Sequence, residues 1–318
     1  MQVLDTIDEQ RIAELCARDE FFWLDAAAPA EEDVRRLADR FGWHPLVVED
    51  LVHFSQRPKI DSYGDYALIV FYGAHTDGRG QPALTEVHVI VSGSYVITIR
   101  HAACDELHDV RRRMTASPPR SEQFVVYRVL DALTDSFFPI LESIDEEIDQ
   151  LEDRIVQRPS DAELQRVQRV KRTIVEMRRV VMPQRDIAAR ALDDLRELPG
   201  LDADARDYYR DLYDHLIRIA DLLDSYRDLM TGLMDVYLST ISNRLNVVMK
   251  QLTIIATVFL PLTFVTGFFG QNFGWLVRHI NSFWEFLVFG LGGMALPCVL
   301  LFAWFRRAGF LERDGAGG

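Results

Sequence analysis

The residues most able to do chemistry in an apolar setting lie near the C-terminal end of the chain. Thr253, Thr257, Thr263 and Thr266 interrupt an uncharged run from Leu252 to Phe269, and Gly270-Gln271-Asn272 follows directly. Hydroxyl and amide oxygens are neutral acceptors, suited to a hydrated hard cation that gives up its water reluctantly. At helical spacing Asn246, Met249, Thr253, Ala256, Leu260, Thr263 and Gly267 share one face. That mixture of small, hydroxyl and apolar groups suits a pore wall and a helix-packing face equally. Threonines in apolar helices also bond back to the preceding turn, and an Asn in a turn is most often a turn former. Gly267, Gly270 and Gly274 let the helix open and the backbone turn.

The element that must carry these groups is a membrane hairpin. A span needs ~20 apolar residues to cross the ~30 Å hydrocarbon core. Leu252 to Phe269 and Phe283 to Phe305 meet that length, the second with Glu285 near its start. We expect the first span at about residues 250–269, a GQN-bearing loop at 270–282, the second span at 283–305 and a tail at 306–318. Arg244 and Lys250 precede the first span, Arg306 and Arg307 follow the second, and the loop carries only Arg278. The positive-inside bias then puts both termini in the cytoplasm, with the protein in the cell (inner or plasma) membrane and the lipid bilayer as a partner. Two helices cannot enclose a pore, so transport would require several copies around a shared axis.

Upstream, residues 1–119 read as an α/β cytoplasmic domain. Glu31 to Phe41 has helical spacing after Pro29, while Tyr66 to Tyr72, Glu86 to Val91 and Tyr95 to Arg100 are β-rich runs separated by Asp77-Gly78 and Ser92-Gly93-Ser94. Those turns predict antiparallel strands with intervening helices, and Ser117-Pro118-Pro119 makes a boundary. Residues 120–200 read as an antiparallel long-helix pair. One pattern runs from Phe124 to Ile155, and another from a Ser160 cap through Val181, with Pro183 a kink or break and Leu198-Pro199-Gly200 the stop. Residues 201–269 read as a stalk helix continuing into the first span, a rod of roughly 100 Å at 1.5 Å per residue. Its Leu212, Leu216, Ile219, Leu223, Tyr226, Met230, Leu233 and Tyr237 form a heptad seam, with Asp207, Asp214, Asp221, Asp228 and Asp235 farthest from it.

Composition excludes several classes. A net charge of −14 argues against nucleic acid and is compatible with attraction of cations. The amino-terminal residues lack a basic leader and apolar core, so no secretory signal is expected. Cys16, Cys104 and Cys298 lack metal-ligand spacing, and the histidines at 44, 53, 75, 88, 101 and 108 accompany no nucleophile. Gly78-Arg79-Gly80 lacks the Lys-Ser/Thr ending of a phosphate-binding loop, which argues against ATP-driven pumping. We expect no enzyme.

Ser242 to Phe273, with Arg57-Pro58-Lys59, Asp65-Tyr66, Tyr213-Asp214-His215 and Arg227-Asp228, resembles the CorA family of divalent-cation transporters within the 2-TM-GxN superfamily. The resemblance covers nearly the whole chain. It implies an α/β cytoplasmic domain, long helices forming a funnel, two spans per subunit and a homopentamer with a central pore. It further implies that Asn246, Met249, Leu252, Leu260 and Thr263 line or gate that pore, and that Gly270, Gln271 and Asn272 form the selectivity tripeptide. Cytosolic Mg²⁺ bound between subunits would hold the pore shut, with Asp77 and Asp211 at the sensor's positions and Asp214 an additional candidate. Mg²⁺ influx driven by membrane potential is the first expectation, with Co²⁺ and Ni²⁺ beside it. Two departures favour an alternative: Gln271 replaces the family's central Met, and Gly274 to His279 carries Arg278 and no acid. A ZntB-like Zn²⁺ transporter, proton-coupled, is that alternative. A membrane-anchored coiled-coil scaffold without transport is the other.

Overall fold

β-Branched and aromatic segments near the amino terminus assemble into a six-stranded sheet in the order β1-β2-β6-β5-β4-β3. The strands are β1 (Gln2–Leu4), β2 (Phe22–Ala27), β3 (Lys59–Ser62), β4 (Tyr66–Thr76), β5 (Pro82–Ser92) and β6 (Tyr95–Arg100). The computed structural model describes residues 1–101, 104–116, 122–196, 206–271, 273–279 and 282–308. Within it the chain divides into two compact units, Met1–Val236 and Tyr237–Gly318. The Ser117-Pro118-Pro119 boundary and the Leu198-Pro199-Gly200 stop lie outside the described residues.

Antiparallel pairing holds from β3 through β6, but β1 with β2 and β2 with β6 are parallel. The three β-rich runs read from the sequence, now β4, β5 and β6, pair antiparallel as expected, whereas β1 and β2 were not anticipated, because hairpin turns mark only local pairs. Between β2 and β3 the chain passes through α2 (Glu31–Phe41) and α3 (Pro45–Val52), and the meander then returns β6 beside β2. α2 forms where expected, with Glu31, Glu32 and Asp33 in its first turn and Gly42 left-handed (φ 67°) behind it. Together with α1 (Glu9–Ala17) and α4 (Asp105–Ala116) these helices belong to the first unit. Every residue of β4 from Tyr66 to Ala74 is buried, as in a sheet covered on both faces.

The run from Phe124 to Ile155 is two helices, α5 (Glu122–Asp135) and α6 (Phe137–Gln157), where one was expected. At the break, Ser136 serves the sheet edge. β3 pairs with β4 only as far as Val70, so the backbone of β4 beyond it needs other partners. Ala74 N donates to Ser136 Oγ (2.8 Å), and Ser136 Oγ donates to Leu133 O (2.6 Å). Gly73 makes the approach possible, since a Cβ there would lie 3.0 Å from both Leu133 Cδ2 and Ser136 Oγ. Gln184, wholly buried on α7 (Asp161–Arg196), takes Tyr72 N (3.0 Å) and donates to Tyr72 O (3.3 Å). α7 continues past Pro183 to Arg196.

Helix α8 runs from Arg206 to Phe269. In the first unit its seam from Leu212 to Leu233 is buried, Asp207, Asp214, Asp221, Asp228 and Asp235 are exposed, and Asp224 pairs with Arg178 of α7 at 2.8 Å. The second unit holds the rest of α8, a short α9 (Gly274–His279) and α10 (Phe283–Arg307), whose residues Phe286–Leu291 wind as a π-type turn. α8 and α10 are long and apolar enough to cross a membrane, and their most apolar stretches are almost wholly exposed. Apolar surface of that extent marks a lipid or protein contact.

Candidate conducting face and metal-ligating cluster

α8 has two unlike sides within the second unit. Ile254, Val258, Pro261, Leu262 and Val265 are half-buried, and Val265 Cγ1 lies 3.9 Å from where a Cβ on Gly293 of α10 would sit. At about 100° per residue the centre of that covered side is diametrically opposite the stripe of Asn246, Met249, Thr253, Ala256, Leu260, Thr263 and Gly267. All seven are exposed, Leu260 to 73%. Leu252 sits at the margin of the stripe and is exposed as well. The stripe therefore faces away from the subunit's own second span.

The threonine protons are used internally. Thr253 Oγ1 donates to Met249 O (2.8 Å), Thr257 to Thr253 O (2.7 Å), Thr263 to Phe259 O and Leu260 O (each 3.0 Å), and Thr266 to Leu262 O (2.9 Å). A hydroxyl whose proton is bound to its own helix presents lone pairs outward, which is the polarity that water around a cation requires. α8 ends at Phe269, and Gly270 N donates to Thr266 O (2.8 Å). A Cβ at Gly270 would press to 3.0 Å on that oxygen, so the turn is tight there. Phe273 N donates to Gln271 O (2.8 Å), while Asn272 lies outside the described residues. Beyond the turn, His279 Nδ1 lies 2.9 Å from Trp275 O and the two rings stack at 4.4 Å.

A second polar constellation lies in the first unit. Asp131 and Asp135 stand one turn apart on α5, and His215 reaches them from α8. One ligand atom from each residue lies within 4.8 Å of the others. His215 Nδ1 is 3.3 Å from Asp135 Oδ1 and 4.0 Å from Asp131 Oδ1, buried and without a well-aligned hydrogen bond. Its Nε2 lies 3.8 Å from Asp211 Oδ1, and Tyr127 Oη donates to Asp211 Oδ2 at 3.1 Å. Burial and then the neighbouring Asp135 push the Asp131 carboxyl above its ordinary value, against the pull of Arg128. Carboxylates with an orphaned imidazole nitrogen are a donor set that fits a divalent cation.

Of the three acids expected at a sensor, only Asp211 joins this group within the protomer. Asp214 is exposed on the same helix. Asp77 sits in the β4–β5 turn, where its Oδ1 accepts from Arg79 N and Gln81 N at 2.8 Å each, and those bonds hold its carboxyl below the ordinary value. Asp131 and Asp135 escaped the sequence reading, which met His215 only within the Tyr213-Asp214-His215 match, because long stretches of chain separate the α5 acids from the histidine. The one available signal was the i, i+4 acid pair on α5, a spacing common on solvated helices.

Comparison with known proteins agrees with this architecture. The sequence profile of the family described as "CorA-like Mg2+ transporter protein" matches residues 18–307. The Cobalt/magnesium transport protein CorA of Thermotoga maritima is 35% identical over 91% of this chain and 83% of its own. The Zinc transport protein ZntB of Yersinia enterocolitica is 30% identical over 83% of this chain and 80% of its own. Among solved structures, the complete CorA magnesium transporter of Methanocaldococcus jannaschii has a TM-score of 0.80 at 21% identity, covering 91% of both chains, a likeness of fold.

Proposed function

The chain belongs to the CorA-like Mg²⁺ transporter family and is a divalent-cation transporter, and we propose that it conducts Mg²⁺ inward, driven by membrane potential. The observation that carries this reading is the stripe from Asn246 to Gly267, exposed on the side of α8 opposite its contact with α10 and ending at the Gly270 turn. Several copies around an axis, five by the family resemblance, would bring these stripes together as a wall. Both termini lie in the cytoplasm on this reading. Outward-facing threonine oxygens then meet the water shell of the ion, and Leu260 and Met249 narrow the path. Gly270, Gln271 and Asn272 form the entrance, where an amide ring takes the hydrated ion from outside. A potential of 100 mV supplies about 2.3 kcal/mol per elementary charge, enough to drive entry without ATP. Among the homologues above, the cobalt/magnesium transporter is the more similar, at 35% against 30% identity for the zinc transporter.

Cytosolic Mg²⁺ regulates the pore through the carboxylates near His215. Asp131, Asp135 and Asp211 with His215 would hold the ion, and Asp77 and Asp214 supply further charge where subunits meet. Bound Mg²⁺ supplies positive charge that cancels repulsion among the acids, and its loss lets the helices separate.

The zinc reading has one local observation in its favour. A carbonyl only accepts, so His279 donates to Trp275 O through Nδ1–H, and Nε2 carries the lone pair that a metal needs. The test is uptake of Mg²⁺, Co²⁺, Ni²⁺ and Zn²⁺ into proteoliposomes with and without a pH gradient. Mg²⁺ entry independent of the gradient is expected. Zn²⁺ entry that requires it, without Mg²⁺ entry, would overturn the magnesium reading.

A further inference from the structure

The Arg57-Pro58-Lys59 segment has no part in conduction or sensing as described. Lys59 is accounted for, its Nζ lying 2.7 Å from Asp50 Oδ2 and 2.8 Å from Asp61 Oδ2. Arg57 instead lines a cavity of about 450 Å³ between the loop after α3, the β4–β5 edge and α7. That volume lies within the ~300–1,000 Å³ of small-molecule sites. Arg179 lines the same cavity from α7, and among the described residues neither guanidinium forms an ion pair.

The loop that carries Arg57 is anchored from within the sheet. Glu86 on β5, its side chain 8% exposed, accepts from Ser55 N (2.6 Å), Gln56 N (3.0 Å) and His88 Nε2 (2.7 Å). Tyr72 Oη sits 2.9 Å from Glu86 Oε2 and 2.5 Å from Gln56 O, sharing one proton between them. These bonds hold Ser55 at φ 91°, a conformation that a residue with a β-carbon rarely adopts. Because its oxygens are already occupied by donors, Glu86 does not compete for the arginines. The remaining wall is apolar, built from Leu84, Ile140, Met177 and Val180.

A fixed loop presenting one guanidinium, a second guanidinium from a helix and an apolar wall together suit an anion with an organic body. Guanidinium forks match phosphoryl oxygens, and two of them suit a doubly charged group. Glu176, one turn before Arg179, adds an acceptor for hydroxyls such as a sugar carries. We propose that this cavity binds a small organic phosphate of nucleotide size, its phosphoryl oxygens on Arg57 and Arg179 and its organic part against the apolar wall. The site is separate from the conducting face and regulates or stabilises the cytoplasmic unit.

Calorimetric titration of the purified full-length protein with ATP, AMP and inorganic phosphate in EDTA tests this, since no divalent ion is then free to be chelated. Saturable ATP binding is expected, tighter than that of inorganic phosphate and weakened at least tenfold by Arg57→Ala and by Arg179→Ala. Thr173→Trp, which adds bulk to the cavity wall while leaving both arginines in the sequence, is expected to abolish it. Absence of ATP binding, affinity no better than that of inorganic phosphate, or binding unchanged in folded forms of these variants would overturn the proposal. The titration reads binding alone, so its failure is distinct from failure of the transport reading.

Discussion

At the scale of single residues, polar side chains of the first unit close gaps that the sheet leaves open. Gln184 satisfies both backbone groups of Tyr72, so Gln184→Leu strands a buried N–H and a buried C=O. Each stranded group costs about 1–3 kcal/mol, and a lowered melting temperature of the full chain is the expected result. An unchanged melt would mean that another group takes over at Tyr72. Asp131 gives a prediction with a sign. Its carboxyl is raised by burial and Asp135, so in metal-free protein its ionisation costs stability, and that cost is relieved as pH falls through the raised value. A divalent cation needs the ionised form. Stabilisation by Mg²⁺ should therefore be full above that pKa and fade as pH falls through it, and Asp131→Asn should remove most of it. Melting curves at several pH values, with and without Mg²⁺, measure this, and Mg²⁺ protection of equal size in Asp131→Asn would detach the cluster from the metal.

At the scale of elements, α8 is where sequence and structure agree most closely, and α5 with α6 is where they part. The seam from Leu212 to Leu233 was legible because a heptad repeat imposes one buried face, and those positions are buried. The break at Ser136 was not, because apolar spacing continues in phase on both sides of it, and the strand that Ser136 serves, β4, is distant in sequence. The parallel strands β1 and β2 were likewise hidden, since a parallel pair leaves no turn motif between its members. On α8 the exposed stripe was visible as spacing, whereas its position opposite the α10 contact required coordinates. That geometry predicts a periodic pattern of access. In a background with Cys16, Cys104 and Cys298 replaced, single cysteines at 249, 253, 256, 260, 263 and 267 should react with a water-soluble thiol reagent in the open state. Cysteines at 258, 262 and 265 should not. Reactivity without a helical period would remove the stripe as the conducting face.

For the whole molecule, an acidic α/β unit, a long helix and an apolar hairpin together make a chain that is incomplete alone. Its apolar stretches in α8 and α10 are exposed, and so, among the described residues, is its candidate conducting face. On the proposed reading, lipid around an assembly and neighbouring copies within it would meet both features. Family membership, carried by the match over residues 18–307, makes the chain a divalent-cation transporter. On the proposed reading, Mg²⁺ passes through a path whose entrance is Gly270-Gln271-Asn272. Its most direct test is Mg²⁺ entry into proteoliposomes under an inside-negative potassium-diffusion potential, for the wild type and for Asn272→Ala with assembly verified. Entry that grows with the potential in the wild type and falls at least tenfold in the variant is expected. Equal Mg²⁺ entry in both, or none in the wild type, would contradict it.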